Sequence, residues 1–324
     1  MENTDFPTPA NQKPSPLEYA LVHELLKETR RARKWRNVRW LAAAAVVGIG
    51  LIRVVGPASD SGLGAASEPH ASLVKIEGEI APDSEASAAR LIPAISEAFD
   101  DATSKGVLIE VNSPGGTPVQ AMLIHDHILR MKKLHPDKKV VVVGEDYLAS
   151  GAYMVAVAAD KIYVSKATVT GSIGVVTRGF GAVGALEKLG IERRILTAGE
   201  NKARMDPFLP VQNRDKEKMQ QMLTKLHGQF IDIVKSGRKG KLKGDESELF
   251  SGDFWTGEEA VGYGLVDATG DVLGAAQAEF GVTSVKEYSP AAPLWQKITK
   301  EFGTQVALKV PAFGMRVEAL APGA

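Results

Sequence analysis

The stretch Val107–Leu134, VLIEVNSPGGTPVQAMLIHDHILRMKKL, followed shortly by VVVV at Val140–Val143, decides how the chain is read. Val107 to Val111 is a short β-rich run, Asn112 to Thr117 a turn, and Pro118 to Leu134 a helical run. Strand, tight turn, helix and a further buried strand predict a right-handed crossover between parallel strands. Pro114 fixes one φ angle, and Gly115 and Gly116 permit backbone conformations closed to other residues. Such a turn can leave an amide N–H free at the start of the following helix, where the helix dipole also favours negative charge. Taken alone, the motif is more economically read as a plain strand-to-helix turn.

The alternation continues in both directions. Leu73–Ile76 reads as a strand and Ser84–Asp101 as a helix. Downstream come a short apolar helix at Ala152–Ala159, a strand at Lys161–Val164, a helix at Phe180–Leu189 and an extended run at Ile191–Thr197. A long amphipathic helix at Val211–Lys235 and a short one at Glu258–Tyr263 complete the pattern. The prediction is an α/β fold with a largely parallel sheet and helices outside it.

A second turn, Asp146-Tyr-Leu-Ala-Ser-Gly-Ala-Tyr-Met154, sets Ser150 at a strand exit and at the mouth of a helix. A serine there most often acts as an N-cap. What argues for chemistry is the combination. Gly151 would offer a second backbone N–H beside the serine oxygen, and the Asn-Ser-Pro-Gly-Gly turn offers the first. Two fixed donors about 3 Å from a developing oxyanion are what acyl transfer requires. A third cluster, Thr168-Val-Thr-Gly-Ser-Ile-Gly-Val175, precedes the loop Thr197–Phe208, which carries Lys202. By itself Lys202 reads as a surface lysine.

Composition narrows the chemistry. The 324 residues allow one large domain or two ordinary ones, and 44% hydrophobic with 24% charged residues implies a real core. Lys plus Arg and Asp plus Glu both number 39, so no global field draws the chain to nucleic acid. There is no cysteine, which removes thiolate nucleophiles, disulfide scaffolds, iron–sulfur clusters and Cys-ligated zinc. His23 and His70 precede the folded region, His125, His127 and His135 lie along or at the end of one helix, and His227 lies within the long amphipathic helix. None follows a strand in a glycine turn and none has metal-ligand spacing. Solvated helix histidines are the simpler account, and no metal or cofactor is expected.

The N-terminus is separate. Lys27, Arg30, Arg31, Arg33, Lys34, Arg36 and Arg39 stand against Glu28 alone, just before thirteen apolar residues at Trp40–Ile52. A basic flank on one side predicts a single-span anchor with its N-terminus in the cytoplasm. The run covers ~20 Å of a ~30 Å hydrocarbon core, a gap that Arg53 snorkelling outward or local thinning of the bilayer would close. The expected organisation is a basic cytoplasmic segment at 1–39, an anchor at 40–56, a linker at 57–70, a catalytic domain at 71–290 and an extension at 291–324.

The ordered set Asn-Ser-Pro-Gly-Gly, Ala-Ser-Gly-x-Tyr, Thr-Gly-Ser-Ile-Gly and Gly-x-x-Lys with Asp-Pro-Phe resembles the signal peptide peptidase A family. Trp255-Thr-Gly-Glu-Glu-Ala260 and Gly264-Leu-Val-Asp267 are similar to the family's C-terminal signature. These are bacterial serine peptidases with a Clp-protease/crotonase-like fold. The resemblance implies Ser150 as nucleophile and Lys202 as general base of a Ser–Lys dyad. It implies Ser172 as the lysine's hydrogen-bond partner, Gly116 and Gly151 as oxyanion donors, and Gly115 as the residue that holds the turn. It further implies peptide or protein substrates (hydrophobic signal peptide remnants or misfolded exported and membrane proteins), no cofactor, a homo-oligomer, and contact with lipid through the anchor. The location implied is the bacterial inner membrane, with the catalytic domain outside the cytoplasm. Ala152 departs from the family, which commonly has a second glycine there.

A lysine base must be neutral, so its usual pKa of about 10.4 has to fall by roughly 2–3 units. Lys202 is therefore expected to be partly buried near Ser150 and Ser172, with Glu200 and Asp206 turned away, and in this family the two dyad residues can come from different subunits. Two rivals remain: a crotonase-type acyl-CoA enzyme, which shares the fold and the paired oxyanion donors but needs no nucleophilic serine, and a membrane-tethered scaffold that keeps the fold without activity.

Overall fold

The computed structural model describes residues 68–289. The expected basic segment, the anchor, nearly all of the linker and the C-terminal extension lie outside the described residues. Among the described residues no helix is long and apolar enough to cross a membrane.

The chain runs β1 (His70–Glu77), α1 (Ala88–Asp100), β2 (Ser104–Ser113), α2 (Pro118–Leu134), β3 (Val140–Ala149), α3 (Gly151–Ala156), β4 (Lys161–Val164) and β5 (Val169–Gly171). Then come α4 (Val183–Lys188), α5 (Asn213–Gly237), α6 (Glu246–Leu249), β6 (Phe254–Thr256), α7 (Gly257–Gly262), β7 (Ala268–Thr269), α8 (Val272–Phe280) and β8 (Val285–Glu287). One sheet has the order β6-β5-β3-β2-β1-β8, with β4 beside β3 and β7 beside β4. Every pairing is parallel except β5 with β6. This is the α/β architecture the alternation predicts.

Both faces of the sheet are covered, which is why its central strands are continuous apolar runs. Ile109, Val111 and Val142 face a core with Leu91, Ile95 and Phe99 of α1 and Ile124 and Ile128 of α2. The alternate residues Leu108, Val141 and Val143 pack on Ala275 and Ala276 of α8.

β3 changes partners along its length. Val141–Gly144 pairs with β4, whereas Tyr147–Ala149 pairs with β5. The sheet therefore opens at the C-terminal end of β3, the kind of place where parallel α/β sheets form crevices.

Several local expectations need correction, the solvated helix histidines among them, since His125 and His127 on α2 are both buried. The helix expected from Ser84 begins at Ala88, because Ser84 Oγ closes a turn with Ala81, accepting from its N–H at 3.1 Å and donating to its carbonyl at 2.9 Å. The apolar helix expected to reach Ala159 ends at Ala156. The run Ile191–Thr197 joins no strand, and Ile191, Ile195 and Leu196 are exposed.

Arg238, at the end of α5, is buried to 2% exposure. Its Nε and Nη2 donate to the Gly264 carbonyl at 3.0 and 2.8 Å, and Nη1 to Asp267 Oδ2 at 2.7 Å. Asp267 also accepts from Lys241 at 2.8 Å and from the Ile162 amide at 2.8 Å, so one carboxylate ties α5 to β4. Burial would raise the Asp267 pKa, but the hydrogen bonds from Arg238 and Lys241 outweigh it and hold the carboxyl below its usual range. Its contribution is present above the unfolded-state pKa and is lost as pH falls through the lower folded-state value. Arg238→Ala is expected to cost about 2–4 kcal/mol, by leaving the buried Gly264 carbonyl without a donor and taking from Asp267 one of its three. Urea unfolding at neutral pH checks this, and a cost below about 1 kcal/mol would refute it.

Candidate active site

The register that pairs Ala149 with Gly171 carries Ser150 and Ser172 out of adjacent parallel strand ends together. The Ser150 amide donates to the Gly171 carbonyl at 2.9 Å. That bond holds Ser150 in the sheet's frame while the chain turns sharply into α3. The result is φ 52° and ψ −122°, outside the β region that N-caps adopt. Ser150 occupies the N-cap position of α3, yet its side chain makes no capping hydrogen bond. The ordinary explanation of a serine at a helix mouth therefore fails here. A non-glycine residue at this φ stores about 1–3 kcal/mol, the kind of strain that collects at functional sites.

The first glycine turn lies directly against this serine. Gly115 has φ 103°, and a Cβ there would stand 2.7 Å from the Gly151 nitrogen and 2.8 Å from Ser150 Cβ. A Cβ on Gly116 would lie 2.0 Å from the Ile80 carbonyl oxygen. That close approach belongs to an isolated bridge, in which the Ile80 amide donates to the Gly115 carbonyl and the Thr117 amide to the Ile80 carbonyl, each at 2.8 Å. A Cβ on Gly151 would meet the Gly116 nitrogen at 3.2 Å, so the two amides are neighbours. Neither amide donates to an acceptor among the described residues. Gly115, Gly116, Ser150 and Gly151 are thus brought together as the sequence predicts.

Ser172 also has a left-handed φ, 50°, and its amide donates to the Asp253 carbonyl at 2.7 Å. Gly171 before it is pressed on the Trp255 ring, which a Cβ would meet at 2.4 Å.

Among the described residues no hydrogen bond or shared cavity joins Lys202 to this group. It is exposed, in a turn where its amide donates to the Gly199 carbonyl at 3.2 Å. Its loop is held elsewhere, by Arg193 with Asp206 at 3.0 Å and Arg204 with Asp215 at 2.9 Å. The partial burial expected of Lys202 is not met in the single chain. Asp206 is engaged away from the lysine: the Phe208 amide, and then Arg193, hold its carboxyl below the usual range.

Beside Ser150 lies a cavity of about 110 Å³, walled by Met122, Met154, Val175, Val176, Leu226 and Phe230, with Gly116 and Gly151 at its edge. No titratable side chain lines it among the described residues. These wall residues escaped the sequence reading. Only Leu226 and Phe230 carried a signal, four apart on one face of an amphipathic helix. Among the described residues no cluster of three or more His, Asp or Glu could hold a metal ion.

The chain is similar to several known proteins. The family model for peptidase family S49 matches residues 132–279, a stretch that includes Ser150, Gly151, Ser172 and Lys202. A signal peptide peptidase SppA of Enterococcus faecium is 34% identical over 194 residues, covering 58% of this chain and 56% of that protein. A Brucella melitensis protein named Na(+)/H(+) antiporter NhaA is 46% identical over 187 residues, covering 58% of this chain but only 25% of its own length. A solved structure of a membrane-bound stomatin-specific protease overlaps with a TM-score of 0.42 at 16% identity, covering 69% of this chain and 100% of that one. The chain thus spans a quarter of the Brucella protein and little more than half of the Enterococcus one. By its motif order, the matched domain and the Enterococcus relative, the chain is similar to peptidase family S49 over residues 132–279.

Proposed function

We propose that the protein is a membrane-anchored serine peptidase of Clp-protease/crotonase-like fold that cleaves hydrophobic peptides by acyl transfer through Ser150. The observation that carries the reading is the pair of unbonded amides, Gly116 and Gly151, beside a strained serine that does not cap its helix. Ser150 attacks the peptide carbonyl while Lys202 takes its proton, and the two amides hold the oxyanion. Lys202 then protonates the leaving amine, and water releases the acyl-enzyme.

The base must lose its charge to act, and a solvated ammonium does not. Lowering its pKa by 2–3 units means disfavouring the ammonium by roughly 3–4 kcal/mol, which requires burial without a neighbouring carboxylate. An exposed loop in one chain does not supply that burial. A homo-oligomer does, with the Lys202 loop of one copy covering the Ser150 cavity of the next and with Ser172 receiving the amine. Exposed Val176, Phe180, Leu189 and Leu196 on the segment leading to that loop favour such packing. The apolar cavity suits an aliphatic side chain of the substrate, in keeping with signal peptide remnants or misfolded exported and membrane proteins. The N-terminal anchor places the catalytic domain outside the cytoplasm.

A fluorophosphonate is expected to phosphonylate Ser150 of the wild-type protein with loss of fluoride, adding the mass of the reagent less HF there and at no other serine. Retention on immobilised coenzyme A without labelling would favour a crotonase-type enzyme, and neither binding nor labelling would favour an inactive scaffold.

A further inference from the structure

We infer that His227, on α5, is a positioning residue that sets the width of the cavity beside Ser150, an inference that rests on the peptidase reading above. The sequence presents His227 as a solvated helix histidine. In the structure it is half-buried, and its Nε2 lies 3.0 Å from the carbonyl oxygen of Ile173. A carbonyl only accepts, so the ring carries its proton on Nε2 and donates.

Ile173 is fully buried and sits between Ser172 and Gly174. On one side this loop is fixed by the 252–253 turn: the Ser172 amide donates to Asp253, and a Cβ on Gly174 would lie 3.0 Å from Gly252 Cα. On the other side the fixing group is His227. Among the described residues no other hydrogen bond joins α5 to residues 172–176.

Two of the cavity's walls come from the segments that this bond joins. Val175 and Val176 follow Ile173 after Gly174, while Leu226 and Phe230 flank His227 on α5. Before His227, α5 is mostly exposed, and its apolar anchors Phe230 and Val234 lie after it. Without the imidazole the helix keeps its anchors, but nothing polar holds it at a set distance from the loop. The buried Ile173 carbonyl then loses its partner and is free to turn toward water.

The test compares wild type with His227→Ala, His227→Asn and His227→Gln. The Gln amide reaches the position of Nε2, and the shorter Asn amide does not. Three readouts are taken: the rate of fluorophosphonate labelling at Ser150, kcat/KM for two peptides differing only in Ala or Leu before the cleaved bond, and hydrogen exchange of the 172–176 amides. His227→Ala and His227→Asn are expected to lower kcat/KM by roughly 10-fold and to change the Leu-to-Ala preference by roughly 5-fold, with Gln within about 2-fold of wild type. Exchange at 172–176 is expected to quicken in Ala and Asn alone. If wild type is labelled and His227→Asn keeps wild-type preference and exchange, the positioning role is wrong while the peptidase reading stands. If Gln fails as Ala does with preference unchanged, the histidine serves only stability. If wild type is neither labelled nor active, the peptidase reading falls and takes this role with it.

Discussion

Ser150→Ala and Lys202→Met, each alone, are expected to lose peptide turnover by at least about 10³-fold while keeping the wild-type unfolding midpoint. The fold should not notice either change. Ser150 makes no side-chain capping bond, and Lys202 is exposed. Alanine inherits the same positive φ, so the strain at the strand exit is kept. Chemistry should notice both, because a serine hydroxyl without a base is a poor nucleophile and a methionine takes no proton. The informative step is to combine them. When the two variants are unfolded together and reassembled, about a quarter of wild-type activity is expected, since a site needs an intact serine from one copy and an intact lysine from its neighbour. A dyad within one chain predicts no recovery at all. Activity in Lys202→Met alone would mean that another group serves as base, even though no titratable side chain lines the cavity among the described residues.

What the sequence reveals of this site follows from how local each device is. Pro118–Leu134 and Lys161–Val164 are found at their expected limits, because Pro at a helix start and a short β-rich run are signals carried by adjacent residues. The second half of β3 is hidden, since exposed Glu145, Asp146 and Tyr147 interrupt the apolar run where the strand changes partners. Ile191–Thr197 shows the reverse error. Its apolar residues announce a need for cover, and sequence cannot tell a sheet neighbour from a second copy of the chain. The same division runs through the site. Gly115, Gly116, Ser150 and Gly151 were legible because glycine turns declare their backbone geometry. Met122, Met154, Leu226 and Phe230 were not, because three separate helices bring them to one cavity. The N-cap account of Ser150 was reasonable from position and fails on conformation: pairing with Gly171 sets a φ that no capping serine adopts.

Gly116→Ala is expected to remove activity and stability together, and the two losses have separate causes. The new methyl would stand 2.0 Å from the Ile80 oxygen and 2.6 Å from its carbon, both backbone atoms that cannot swing aside. Ile80 is itself fully buried, so the bridge between the two segments must part. Parting breaks the bonds from the Thr117 amide to Ile80 and from the Ile80 amide to Gly115. At about 1 kcal/mol for each bond plus the cost of leaving a buried group unpaired, the loss should reach about 3 kcal/mol or more in urea unfolding. The same movement carries the residue 116 amide away from Gly151 and from the point where the oxyanion forms. Loss of one such donor slows acyl transfer by about 10²–10³-fold. Gly262→Ala is the control, because a Cβ there meets nothing within 4 Å and its φ is ordinary. It should leave both measurements unchanged. Fluorophosphonate labelling of Gly116→Ala at 10 °C, well below its unfolding transition, separates the two effects. A folded Gly116→Ala protein that is labelled at the wild-type rate would show that this amide does not hold the oxyanion, and the case for Ser150 as nucleophile would lose its main support.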